Sequence, residues 1–421
     1  MEYDSYDKNI GYTHAYNKQK EGKIMDYRFI LCLAIILIST KVLGLFSRKV
    51  SMPAVVGALI AGVILGPSFL NWIPVDGETG TFIEYTAEIG VILLMFTAGL
   101  ETNMQDLKAN AKASFVTALI GVIVPLIGGA VSFALFFHSD LSDYTSVLKA
   151  VFVGVVLTAT SVSITVETLR ELGKLKGKVG TTILGAAVID DILGIIVLTI
   201  VTSLQDPSVS PLAVIGKILL YFVVLFVLAI VMRTLKFRIE THDEQRRTVI
   251  IAVAFCFLLS YFSEVGFGIA DITGAYFAGL MFCNMKVEHY IERRTEISSY
   301  LIFSPVFFAS VGLKVSIDSI TPDLIVFSVI LIVVAILTKV VGCGFGAKIC
   351  GCNWSEALQV GVGMISRGEV ALIVAQKGYS VGLLDDDLFA PIVIVVIVTT
   401  LITPILLKVV MSDKKKDAQA A

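Results

Sequence analysis

The sequence predicts an all-α polytopic membrane protein with about thirteen transmembrane helices, two of them discontinuous. Three observations predict it. Of the 421 residues, 56% are hydrophobic and 16% charged, against about 25% charged in a soluble domain, and the mean hydropathy is +0.87. The apolar residues are gathered into stretches of about 20, enough for an α-helix to cross a hydrocarbon core of about 30 Å. Lysine and arginine crowd every second connection between those stretches, the pattern that marks cytoplasmic loops.

Residues 1–25 form a polar, tyrosine-rich extension without helical or strand period. It lacks the basic-then-apolar profile of a signal peptide and is expected to be disordered; Met25 would itself make a natural start. The transmembrane domain is expected over 26–410. Its spans fall near 27–46, 53–70, 82–100, 113–137, 147–168, 179–203, 211–232, 248–263, 268–283, 297–313, 322–345, 354–376 and 388–408. A short basic tail, 411–421, follows the last span, and no soluble regulatory domain is expected after it.

Loops after the odd-numbered spans carry Arg48 and Lys49; Lys108 and Lys112; Arg170, Lys174, Lys176 and Lys178; Arg233, Lys236, Arg238, Arg246 and Arg247; Lys286, Arg293 and Arg294; and Lys348. Loops after the even-numbered spans hold Lys314, Lys377 and acids such as Asp140, Asp143 and Asp385 to Asp387. The expected topology is N-terminus outside and C-terminus cytoplasmic in the plasma membrane, although the basic residues Lys8, Lys18, Lys20, Lys23 and Arg28 pull weakly the other way. The six cysteines (Cys32, Cys256, Cys283, Cys343, Cys350, Cys352) lie in or beside hydrophobic runs and form no disulfide framework. Cys350-Gly-Cys352 is misspaced for zinc, and His14, His138, His242 and His289 all lie outside the spans. No cofactor and no nucleic-acid partner is expected; the partner is the bilayer.

The informative charges are those inside spans. Ile183 to Ile200 is a hydrophobic run interrupted by Asp190 and Asp191. A carboxylate at the bilayer centre costs about 2.5–3.5 kcal/mol. Adjacent helical residues point about 100° apart, so each acid needs its own partner: a fixed cation for one, a wet cavity for the other. The eleventh span carries Lys339, which either snorkels to the cytoplasmic surface or pairs with Asp190. Lys41, Lys149 and Lys217, near span ends, read as anchors, and Asp271 as a cap of the ninth span.

Two spans have broken middles. The fifth contains Thr158-Ala159-Thr160-Ser161-Val162-Ser163, whose hydroxyls compete for backbone groups. The twelfth contains Gly361, Gly363, Ser366, Arg367, Gly368 and Glu369. Interrupted segments in corresponding spans of two halves point to an ion site; helix packing through small residues is the plainer alternative. Arg367 and Glu369 are expected to satisfy one another or the broken backbone.

With these residues in place the chain resembles the bacterial monovalent cation:proton antiporter-2 family, in particular its electrogenic sodium/proton exchangers. The likeness rests on Pro53 to Pro67, Gly90 to Glu101, Thr158-Ala-Thr-Ser161, Asp190-Asp191, Gly274 to Leu280, Pro305 to Gly312, Lys339, Ser366-Arg-Gly-Glu369 and Thr399 to Pro404, in that order. It implies the sodium/proton antiporter fold: inverted repeats with two discontinuous crossing helices. It implies a dimer part at about 27–100 and 246–313, a linker helix at 211–232, and an ion-transport core at about 113–203 and 322–408, assembled as a homodimer. It further implies that Asp191 binds sodium or a proton, that Asp190 pairs with Lys339, and that Thr158 and Ser161 lie near the cation, with Thr160, Ser163, Gly363, Ser366, Arg367 and Glu369 supporting the broken helices.

The expected function is therefore exchange, not enzymatic catalysis: sodium (or lithium) against protons by alternating access, with competition at Asp191 enforcing antiport. If Lys339 also exchanges its proton, the cycle moves net charge and responds to membrane voltage. A potassium/proton antiporter on the same scaffold is the nearest rival, and a passive channel a distant one. A membrane aspartyl protease needs carboxylates on separate elements, which adjacent acids on one helix do not supply.

Overall fold

The computed structural model describes residues 27–50, 52–138, 142–205, 210–241, 245–314 and 321–412. The extension 1–25, the tail beyond Ser412, Asp140, His14 and His242 lie outside the described residues, as do the side chains of Lys236, Arg238, Arg246 and Glu369. All described secondary structure is helical. In chain order the helices are α1 Arg28–Lys49, α2 Ala54–Leu65, α3 Gly77–Glu101, α4 Met104–Phe136, α5 Tyr144–Thr158, α6 Val162–Glu171, α7 Lys178–Gln205 and α8 Pro211–Thr241. They continue with α9 Gln245–Tyr261, α10 Asp271–Phe282, α11 Glu288–Ser298, α12 Ser304–Leu313, α13 Pro322–Ile349, α14 Trp354–Gly363, α15 Glu369–Ser380 and α16 Asp386–Met411. Ten stretches among the described residues are long and apolar enough to cross a membrane, α5–α6 and α11–α12 each counted as one. The remaining hydrophobic stretches are shorter helices: α2, α10, α14 and α15.

Side chains at the loop ends set several helix starts. Asn103 accepts from the amides of Gln105 and Asp106, so α4 begins nine residues ahead of the hydrophobic run expected at 113, and Lys108 and Lys112 ride on the helix rather than in a loop. Asp143 caps α5, Thr321 caps α13, and Asn353 with Glu356 forms a reciprocal capping box on α14. Asp271 opens α10 from inside its first turn, accepting from the Ile272 amide at 2.6 Å. Several positions expected in basic loops are helical, Arg233 on α8 and Lys348 on α13 among them. Residue Arg170 lies on α6, and Arg293 and Arg294 lie on α11.

The helices pack in two groups. In one, α1 lies on α2, α12 crosses α2 and α3, and α10 packs on α3 and α9. In the other, α4 is central, running along α13, α7 and α5, with α14 and α16 on α13. Glycines bring the first group close: a Cβ on Gly62 would sit 2.0 Å from the Ala309 carbonyl, and one on Gly99 2.3 Å from that of Tyr276. Such backbone-to-backbone approach is how apolar helices associate where lipid offers no hydrophobic drive. Helix α6 touches both groups, meeting α2 and α3 on one side and α7 and α16 on the other.

Candidate ion site

Helices α5 and α6 are the two halves of the fifth span, separated at Ala159 to Ser161; α14 and α15 are halves of the twelfth, separated at Met364 to Gly368. Each break strands backbone donors and acceptors where water is scarce, at a cost of several kcal/mol per unsatisfied group. The two breaks satisfy each other. The Ser161 amide donates to the Ser366 carbonyl at 2.7 Å, and the Ser366 hydroxyl donates back to the Ser161 carbonyl at 2.8 Å. Thr165 donates to the Gly363 carbonyl at 2.8 Å, with its oxygen 2.9 Å from the Ser366 hydroxyl. Thr158 turns back to the Val155 carbonyl at 2.7 Å, and the Ser161 and Ser163 hydroxyls lie 3.3 Å apart.

Arg367, fully buried, supplies the remaining donors. Its guanidinium reaches the carbonyls of Ile365 at 2.7 Å, Leu157 at 2.8 Å and Ala335 at 3.2 Å. Leu157 belongs to the carbonyl end of α5, where the helix dipole places partial negative charge; Ile365 lies in the second break, and Ala335 is on α13. A planar fork with several fixed donors suits three carbonyls better than an ammonium would. Thr400 on α16 in turn donates to the Arg367 carbonyl. The structure thus places the broken backbone beside Arg367; the side chain of Glu369, the other expected partner, lies outside the described residues.

Beside this crossing, α7 carries both acids into the interior, Asp190 2% and Asp191 6% exposed. Lys339 on α13 is fully buried and its Nζ lies 3.1 Å from each oxygen of Asp190. Thr160 and Arg367 are close neighbours of the same carboxylate. Gly121 on α4 makes room for the thiol of Cys343, which a Cβ there would overlap, while Lys339 Nζ would lie in ordinary contact at 3.9 Å. Asp191, one residue on, points about 100° away around the helix. Hydroxyl and carboxylate oxygens are the hard donors that an alkali cation replacing its hydration shell requires. Arg367 and the serines engage the carbonyls of Leu157, Ser161, Ile365 and Ser366 at the crossing, next to the helix turn that carries both acids.

Sequence reasoning did not single out Thr165, Thr400, Gly121 or Cys343. Thr400 sits in the Thr399 to Pro404 motif and Thr165 two residues past the hydroxyl cluster; nothing in their local sequence names the distant carbonyls they serve.

Interrupted helices that cross over buried charges define an ion-coupled transporter. The chain belongs to the sodium/hydrogen exchanger family, whose transmembrane region matches residues 33–412. It is 42% identical to the Na(+)/H(+)-K(+) antiporter GerN of Bacillus cereus, covering 94% of this chain and 100% of that one. It is 39% identical to a Na(+)/H(+) antiporter of Enterococcus hirae over 91% and 98% of the two chains. The fold is that of the sodium proton antiporter MjNhaP1 from Methanocaldococcus jannaschii, with TM-score 0.69 at 17% identity over 91% of this chain and 96% of that one.

Proposed function

We propose that this multi-pass antiporter exchanges sodium or lithium for protons by alternating access, with Asp191 as the group the two ions share. A single carboxylate cannot hold a proton and a sodium ion together, so each displaces the other. Only the loaded, neutralised site crosses the low-dielectric barrier without the full desolvation cost of a bare carboxylate. The observation that carries this reading is the buried Lys339–Asp190 pair, 3.1 Å apart, on the residue next to Asp191 and beside the crossing. Lys339 offsets one of the two costly charges, and the passenger neutralises the other.

The finer reading is that of the electrogenic antiporter-2 type. Sodium draws Asp190 from Lys339, which gives up its proton and regains it on sodium release, so two protons exchange for one sodium. The helices around α4 and α13 form the moving core and carry the ion contacts at Thr158 and Ser161. The group of α1–α3 and α9–α12 forms a homodimer, and α8 links the two. Thirteen crossings place the N-terminus outside and the C-terminus in the cytoplasm. Potassium in place of sodium is a second reading, favoured by the potassium in the name of the Bacillus cereus relative.

Protein reconstituted in liposomes with a pH gradient tests both. Sodium or lithium should collapse the gradient and Asp191→Asn should abolish the effect; a response to potassium alone selects the second reading. An Asp191→Asn form that still moves protons on sodium addition refutes the assignment.

A further inference from the structure

Polar contacts between the two helix groups concentrate at one end of α6, the end read as cytoplasmic. Two adjacent residues there reach across in different directions. Arg170 Nε lies 3.0 Å from Glu101 Oε1 at the last residue of α3, and its NH1 lies 3.1 Å from Glu167 on its own helix. Glu171 Oε2 accepts from the Ala54 amide at 2.7 Å, the first residue of α2, while Oε1 lies 3.5 Å from Arg48 at the end of α1. Charge and helix polarity match twice. A carboxylate at the amino end of α2 and a guanidinium at the carboxyl end of α3 are each on the side the helix dipole favours. The Arg170–Glu101 pair is partly buried, 18% and 10% exposed, and so is screened less by salt than a surface pair is; Arg48 in the other pair is exposed. The contact borders a cavity of about 250 Å³ between α1, α2, α6 and α12, lined by Arg48, Ala54, Glu167 and Glu171 among others. That space lets the side chains withdraw without first displacing packed neighbours.

We propose that Arg170 and Glu171 form a catch that holds the inner ends of α2 and α3 against the transport core and releases once per cycle. This rests on the alternating-access reading. The catch stabilises the conformation with this inner contact closed and sets how often the site faces the cytoplasm. It acts through the equilibrium between two conformations and touches neither the cation nor Asp191.

The test labels Lys49→Cys and Lys176→Cys with spin probes in a Cys350→Ser background; the other five native cysteines are buried. Both labelled positions are exposed, one at the end of α1 and one just past α6. The otherwise unaltered protein should give one dominant distance. Arg170→Gln and Glu171→Leu should each enrich a second, longer distance on the order of tenfold, the weight of one charge-assisted hydrogen bond. In liposomes the half-saturating sodium concentration should fall on the order of tenfold from the cytoplasmic side, as the competent fraction rises, and change little from the outside, where most molecules remain competent. Reversing the pair, Glu101→Arg with Arg170→Glu, in a Glu167→Gln background that removes the like charge beside position 170, should restore the single distance. Variants that melt at lower temperature yet keep one unchanged distance and unchanged half-saturation overturn the catch and leave a merely structural contact. A parent protein that moves no protons with sodium, lithium or potassium sinks the exchanger reading instead, and the distance measurement still decides whether the contact opens.

Discussion

Replacing Lys339 with Met puts the buried pair to a quantitative test. Lys339 is 0% and Asp190 2% exposed, and the pair is separated by 3.1 Å. Removing the amine leaves a carboxylate with full charge in the membrane interior, which costs about 3–5 kcal/mol when one partner of a buried pair is deleted. The protein has one escape: the carboxyl can take up a proton. For an aspartate of ordinary acidity that costs about 1.4 kcal/mol per pH unit above about 3.9, so about 4 kcal/mol at pH 7 and about 1.5 kcal/mol at pH 5. The penalty of Lys339→Met therefore has a ceiling that drops with acidity, because the variant folds with a proton that its unfolded chain releases. Asp190→Asn combined with Lys339→Met removes both charges and should recover all but about 1–2 kcal/mol at pH 7. The assay is the melting temperature of the purified protein in detergent at pH 5 and 7 for the parent, the single variant and the double variant. A Lys339→Met loss independent of pH, or a double variant as unstable as the single, would refute the reasoning.

Three further outcomes follow from the crossing and its flanks. Gly368→Ala places a Cβ 2.7 Å from Ser161 Oγ and 2.9 Å from its Cβ, so it should cost about 1–3 kcal/mol as overpacking does; adding Ser161→Gly should return most of that in a thermal melt. Arg367→Lys keeps the charge but not the fork, and should lose at least about 2 kcal/mol through carbonyls left short of donors; a lysine form as stable as the parent would remove the backbone role given to Arg367. Asp143→Ala removes the α5 cap, and the Ser146 amide should exchange faster. The Asp143 carboxyl is held below its ordinary 3.8 by the Ser146 hydroxyl and amide, so the difference between parent and variant should be complete above pH 3.8 and fade only as acid reaches the lower folded value.

What could be read from the chain follows from cost. Asp190, Asp191 and Lys339 stand out because charge inside an apolar run is expensive, and the breaks at Thr158 to Ser163 and Gly361 to Glu369 because helix-competing residues there have no other use. The positions of the helices followed from hydropathy, except where caps such as Asn103 extended them into charged sequence. Arg367 was visible as a charge, but its partners were not: Leu157 and Ala335 offer main-chain oxygens, which every residue has, from 210 and 32 positions away. Arg170 and Glu171 were hidden for the opposite reason. Charges at a span's end look like ordinary topology signals, and only the folded chain brings them against Glu101 and Ala54.

The mutual splice of the two broken spans has a consequence for how the protein is made. The Ser161 carbonyl waits for a hydroxyl 205 residues downstream, and the Leu157 carbonyl for a guanidinium 210 downstream. At a synthesis rate of about 5–20 residues per second, the first half of the molecule spends about 10–40 s at the insertion site with polar main chain unanswered. Its fifth span must therefore shelter near the translocon, in trapped water or in a provisional unbroken helix until the twelfth arrives. A chain truncated before residue 366 should be a target for membrane quality control, however complete its earlier spans.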